Sequence, residues 1–324
     1  MRPEISVVVA SHDRPLRLRW LLNALEEQTL ARARFEVVVA HDSSGPETAA
    51  LLEAHPLAAA GVLRALHFDP GPGPAAKRNA AWRAAGAPLV AFTDDDCRPP
   101  PEWLEGLLGA MAAHPGRIVQ GATVPDPDER HLLHAAPGAR SQLIDPPTIW
   151  AQTCNIGYPR DLLVRAGGFD ERLPVASGED TDLALRARAV GAQVVAAPDA
   201  VTYHAVDAPW LLARVRGTWR WQHLAHLVKC HPELREALVL GAFWKRSHLL
   251  VVGAGVGFAL LGRRAPVLAL AAALPWAIEA RPRYGSGLRG RLRALSELPG
   301  RAVVDATEVA ALARGSARYR TLLL

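Results

Sequence analysis

A chain of 324 residues, half of them apolar, can build one large core or two modest ones, which excludes a disordered chain. Three cysteines with no CxxC pair argue against a disulfide framework or a zinc knuckle and fit a reducing compartment. The net charge of +5 hides two unlike parts: residues 1–205 carry 19 basic and 25 acidic side chains, a balance of −6, and residues 206–324 carry 18 and 7, a balance of +11.

Residues 5–10 (ISVVVA) are rich in β-branched side chains and read as a buried first strand, not as a signal peptide. The spacing of Leu18, Leu21, Leu22 and Leu25 predicts a helix over 14–27. Strand 35–40 runs into HDSSG, helix 46–54 follows, and strand 62–68 comes next. The loop DPGPGP leads into a helix over 75–85, and residues 89–93 form a fourth strand ahead of three consecutive acids, Asp94, Asp95 and Asp96. Strands alternating with helices predict a parallel α/β sheet, whose ligands collect at the carboxyl ends of the strands. Ser11 to Asp13, His41 with Asp42, and the acidic triplet all fall at such ends.

Further on, residues 102–113 predict a helix, and 118–124 and 150–157 strands. The Pro-, Asp- and His-rich segment 125–147 reads as a loop over the site. Helices over 161–166 and 180–190 and a strand over 193–197 complete the first part.

Three like charges after a buried strand call for a counter-charge. Carboxylates at a strand end suit a hard divalent cation, which keeps room for substrate phosphates; a solvated turn or helix cap is the alternative. Asp42 can accept from a base N–H or a ribose hydroxyl, although caps and Asx-turns explain most such residues. Lys77 and Arg78, near a helix start, suit phosphate; a surface basic pair is equally open. Glu179 and Asp180 open a helix, where the dipole favours an ionised carboxylate able to take a proton from a hydroxyl; taken alone, an ED pair there is more often a cap. His204 ends the next strand-like stretch, as a metal ligand or a structural histidine.

The ordered stretches VVVASHDRP, VVVAHDSS, KRNAAWRAAGAPLVAFTDDDCRPPPEWL, NIGYPRDLLVRAGGFDE, GEDTDLALR and TYH resemble family 2 glycosyltransferases of the GT-A fold over about residues 4–205. The resemblance implies an α/β nucleotide-sugar domain and an inverting transfer dependent on Mn²⁺ or Mg²⁺. Ser11 and Asp42 would touch the nucleotide, with Asp42 on the base, Arg78 would lie near the phosphates with Lys77 beside it in sequence, and Asp94 would face the ribose. Asp96 and His204 would hold the metal, Asp180 would be the base, and Glu179 would help bind the acceptor. Two departures stand out. His41 replaces a frequent Asp, and the processive QxxRW motif survives only as GTWRW (217–221), with Gly217 in place of Gln, which favours transfer of one sugar per encounter. A sugar-1-phosphate nucleotidyltransferase would open on a glycine-rich loop, which ASHDRP is not. A non-catalytic nucleotide-sugar-binding protein would have no need of Asp94, Asp96, Asp180 and His204.

After the domain at 1–205, residues 206–245 read as a helical extension. Residues 246–283 read as an apolar helical hairpin whose two runs, 249–261 and 265–278, are shorter than the ~20 residues needed to cross a bilayer. Trp244, Trp276 and flanking Lys and Arg point to an anionic membrane surface on the cytoplasmic side, with the hairpin dipping into the membrane or crossing it under strain; a buried helical pair is the alternative. Residues 284–324 read as a basic amphipathic tail. The apolar neighbours favour lipid over nucleic acid, and that location implies a lipid-linked or envelope glycan as acceptor.

Overall fold

The computed structural model describes residues 2–324 and divides the chain into two compact units. The first holds residues up to 131 and 140–207; the second holds 132–139 and 208–324.

In the first unit, β1 (Ile5–Ser11), α1 (Pro15–Glu26), β2 (Phe35–His41), α2 (Pro46–Ala54), α3 (Pro56–Ala59), β3 (Leu63–His67), α4 (Pro74–Ala84) and β4 (Leu89–Asp94) follow the expected alternation. Pro15, Pro46 and Pro74 sit in the first helical turns, where a missing N–H costs nothing. Then come β5 (Cys97–Arg98), α5 (Trp103–Ala113), β6 (Ile118–Pro125), β7 (Asn155–Pro159), α7 (Arg160–Ala166), α8 (Glu179–Ala189) and β8 (Val194–His204); α6 (Leu132–Ala135) belongs to the second unit.

The eight strands form one sheet in the order β3-β2-β1-β4-β7-β6-β8-β5. Alternate residues feed opposite faces: Val7 and Val9 enter one core with Leu18, Leu22 and Trp103, and Val8 enters the other with Phe92, Tyr158 and Leu183. The sheet is mixed and not parallel throughout, because β7 runs antiparallel to both β4 and β6. The strand expected over 150–157 is shifted to Asn155–Pro159, and β8 runs past the expected stop at 197, accommodated by a register shift opposite Gly121–Thr123.

Register carries the site. Ser11 lies opposite His41, Ala10 opposite Asp94, and Asn155 opposite Thr93, so these strand ends share one rim. The short β5 pairs with β8 so that Cys97 lies opposite His204, which brings that histidine beside residue 96.

The second unit is helical: α9 (Leu211–Thr218), α10 (Leu224–Cys230), α11 (Arg246–Leu261), α12 (Pro266–Ala272), α13 (Leu274–Ala280) and α14 (Leu288–Tyr319). The apolar run 265–278 is broken at Ala273 instead of continuous, with Pro275 in the first turn of α13. Most of the expected basic amphipathic tail is one 32-residue helix. No helix among the described residues is long and apolar enough to cross a membrane.

Candidate active site

At the rim, one ligand atom from each of Asp94, Asp96 and His204 lies within 4.8 Å of the other two. His204 Nδ1 is 2.9 Å from the carbonyl oxygen of Ala205, which can only accept. Nδ1 therefore carries a hydrogen, which leaves Nε2, 3.5 Å from Asp96 Oδ1, as the nitrogen a cation would take. Two carboxylates and one oriented imidazole fit a divalent cation. Ser141, from the loop expected over the site, donates to the His204 carbonyl at 2.9 Å.

The middle acid of the triplet has a different task. Asp95 is buried and accepts from Ser11 Oγ at 2.8 Å and from Arg14 Nη1 at 3.3 Å. Burial, and then the charge of Asp96, push its carboxyl up to about 6 against the pull of Arg14. Arg14 Nη1 also reaches Asp96 Oδ2 at 2.6 Å. Burial raises the Asp96 carboxyl too, with His204 and Arg14 opposing. Burial is the main cause of both shifts, and a cation held beside Asp94 and Asp96 would offset its cost.

Beside it, buried Arg78 joins two carboxylates, Asp94 at 2.9 Å and Glu179 at 2.8 Å. The other oxygen of Glu179 accepts from the Ser177 N–H at 2.8 Å. Glu179 was expected to help bind an acceptor, but it is buried with both oxygens engaged and instead fixes Arg78. Lys77 was expected near phosphate; the structure turns it inward, where Nζ pairs with Asp42 and donates to the Ser11 carbonyl at 2.9 Å. Asp42 also accepts from His12 Nδ1 at 3.0 Å. Burial would raise the Asp42 carboxyl, but the hydrogen bond and charge of Lys77, with His12, hold it below the usual range.

Asp180 follows Gly178, whose φ of +95° belongs to the left-handed region that favours glycine. Its Oδ2 accepts from the N–H and hydroxyl of Thr153, at 3.1 and 3.3 Å. The expected lowering of its pKa by the helix dipole is overturned. Burial first, then the charge of Glu179, push the carboxyl up to about 7, and Arg78 only partly offsets them. The loop before α8 is pinned to α4 by Asn79, whose side chain bonds the backbone of Phe169 on both sides at 2.9 Å. A Cβ on Gly73 would meet the Pro174 carbonyl oxygen at 2.3 Å, so α4 and that loop close up only around glycine.

Sequence reasoning missed Arg14, Asp95 and Thr153. Arg14 was within reach, because it stands three residues past a strand end that was already singled out. Trp219 and Trp221 of GTWRW fall in a 3₁₀ turn of the second unit.

This geometry has relatives. Residues 6–164 match the model of the glycosyl transferase family 2. Residues 6–164 are a family 2 glycosyltransferase domain. The chain is 28% identical over 221 residues to validoxylamine A glucosyltransferase of Streptomyces hygroscopicus subsp. jinggangensis, a match covering 58% of this chain and 52% of the relative. It is 30% identical over 210 residues to pre-mycofactocin glycosyltransferase of Mycobacterium tuberculosis, covering 60% and 43%. The match thus spans about half the length of these curated relatives. A solved mannosyltransferase, PcManGT of Pyrobaculum calidifontis in complex with GDP-Man and Mn²⁺, superposes with a TM-score of 0.57 at 19% identity, covering 99% of this chain and 88% of that one. The glycosyltransferase domain thus has the GT-A fold, with a C-terminal helical unit beyond it.

Proposed function

We propose that the protein is an inverting, metal-dependent glycosyltransferase that moves one sugar from a nucleotide-sugar donor to an acceptor hydroxyl. The observation that carries this reading is the convergence of Asp94, Asp96 and the oriented His204 on one rim of a sheet whose residues 6–164 match family 2, with the half-buried Asp180 opening α8 in the same unit. Asp96 and His204, with Asp94 beside them, would hold Mn²⁺ or Mg²⁺. Bound there, the cation would supply positive charge to the departing diphosphate.

The remaining steps belong to the chain's own residues. Ser11, Asp42 and Asp94 line the nucleotide side of the rim. Lys77 and Arg78 act from behind, holding Asp42 and Asp94 in place. Asp180 takes the acceptor proton as the oxygen attacks the anomeric carbon from the face opposite the leaving group. One displacement inverts the configuration, and no covalent sugar–enzyme intermediate forms. Gly217 in place of the Gln of QxxRW supports a single transfer. The basic, apolar C-terminal part supports a lipid-linked or envelope glycan as acceptor.

The test is a screen of nucleotide sugars with Mn²⁺ or Mg²⁺, scored by released nucleoside diphosphate, with the anomeric configuration of the product read by NMR. Release of pyrophosphate would mean a nucleotidyltransferase, and no release from any donor would mean a binding protein. Asp96→Ala should weaken donor binding at least tenfold, whereas Asp180→Asn should spare binding and lower turnover by about 10³-fold or more. Equal donor affinity in wild type and Asp96→Ala would overturn the metal assignment.

A further inference from the structure

We propose that the C-terminal unit docks on an anionic lipid surface, lying in its plane with the outer face of α11–α13 in the acyl boundary. The inference stands apart from the catalytic reading, since a chain with no transfer activity would bind in the same way.

Length excludes a crossing. The 16 residues of α11 reach about 24 Å, short of the ~30 Å hydrocarbon core, and α12 and α13 have seven residues each. Yet between residues 256 and 278 nine large apolar side chains are exposed, among them Leu260, Val267, Leu268, Leu270 and Ile278. These are not the residues that hold the unit together. Ala254, Ala269 and Trp276 are buried, and Trp276 Nε1 donates to Asp305 of α14 at 2.9 Å. A Cβ on Gly257 would stand 2.6 Å from the Ala272 Cβ, so α11 meets α12 at a small residue there, while Val256, Phe258, Leu260 and Leu261 around it stay exposed. Water would have to cover so dense an apolar face in the absence of an occupant.

Charge selects the occupant. From residue 246 to 296 the chain carries eight arginines and one carboxylate, Glu279. Arg263 and Arg264 occupy the turn between α11 and α12, Arg281 and Arg283 follow α13, and Arg289 lies in the first turn of α14. All five are exposed, and none is in an ion pair among the described residues. Arg283, Arg289 and Arg293 also line a cavity of about 370 Å³ with Tyr284 and His134, and no carboxylate lines it. An apolar face bordered by uncompensated guanidinium groups is complementary to acyl chains beneath phosphate headgroups. A protein partner would need a carboxylate-rimmed apolar groove, and a second copy would bring like charge to like.

The full chain is floated with vesicles of phosphatidylcholine, alone or with about 30 mol% phosphatidylglycerol, with no donor present. Binding to the mixed vesicles should be at least tenfold tighter than to phosphatidylcholine alone and should weaken in high salt. Leu268→Asp with Leu270→Asp, and separately Arg263→Glu with Arg264→Glu, should each lower it at least tenfold. These side chains are already exposed, so the helices should keep their circular dichroism. Leu143→Asp, at an exposed site in the first unit, should float as wild type does. Undiminished flotation of the Leu268/Leu270 variant, or equal binding to neutral and anionic vesicles, would overturn the proposal. So would a dimer in light scattering that the same variant dissociates, with no flotation, for the face would then belong to a second copy.

Discussion

Asp180 sits where two requirements meet. The proposed base must be ionised to take a proton, yet burial and the neighbouring charge of Glu179 hold this carboxyl up to about 7. Turnover should therefore fall about tenfold per pH unit below about 7 while donor affinity changes less, and a pH–rate profile with saturating acceptor checks this. The same shift has a stability sign. The folded chain binds a proton that the unfolded chain has already lost between about pH 4 and 7, so stability from this residue declines as pH rises through that window. Asp180→Asn should accordingly melt higher than wild type at pH 8, by about 1–3 kcal/mol, and the difference should vanish near pH 4. Lys77 is the opposite case. It is a buried cation on a buried carboxylate, and Lys77→Met leaves Asp42 with only His12. That variant should lose about 3 kcal/mol in denaturant melts, even though no substrate atom need touch Lys77.

Among the elements, the turn into α8 is the most exacting. Gly178→Ala forces a Cβ into a left-handed backbone, at a cost of about 1–2 kcal/mol, and shifts Asp180 relative to Thr153. Turnover should fall more than donor affinity, which a comparison of kcat with a donor titration reads. Single elements were legible in the sequence to the extent that local chemistry decides them. The β-branched runs at 5–10 and 35–40, and the prolines opening α1, α2 and α4, mark their own positions. Strand direction is not local. The burial pattern of Asn155–Pro159 is the same whichever way it runs, so a mixed sheet read as a parallel one. Nor could the two-residue β5 announce itself, although its pairing with β8 carries His204 to Asp96 across more than a hundred residues of chain. His204, like Asp94, Asp96 and Asp180, was singled out at the end of an element, and the family's motif order then favoured the metal-ligand reading over the structural one. Asp95 and Thr153 act through contacts between distant segments, which no spacing rule encodes, whereas Arg14 stands close enough to a strand end to have been picked out. The same limit inverted the Asp180 shift: a helix start predicts ionisation, whereas burial and Glu179 outweigh the dipole.

At the scale of the whole molecule, the unequal charge of the two parts becomes two different surfaces. The acidic part crowds Asp94, Asp95 and Asp96 at one rim, where Asp95 and Asp96 are raised first by burial and then by their neighbours' charge, even with Arg14 and His204 beside them. A site strained by its own charge should gain global stability when a cation and an anionic ligand arrive together. Any species that binds only the folded chain stabilises it by RT ln(1 + [L]/Kd), about 2.7 kcal/mol at a hundredfold excess over Kd. For a unit of this size that corresponds to a rise of about 5–10 °C in melting temperature. Full-length chain should show this rise with Mn²⁺ plus GDP or UDP, and a much smaller one with either component alone. Asp180→Asn should keep the rise, because it stands outside the cluster formed by Asp94, Asp96 and His204. Asp96→Ala should lose it while melting within about 1 kcal/mol of wild type without ligand, since removing one of three crowded carboxylates relieves repulsion as it breaks the contacts to Arg14 and His204. Differential scanning calorimetry of wild type and both variants, each without ligand, with either component and with both, separates these outcomes. An undiminished rise in Asp96→Ala would move the ligand site away from the strand ends on which the proposed chemistry depends.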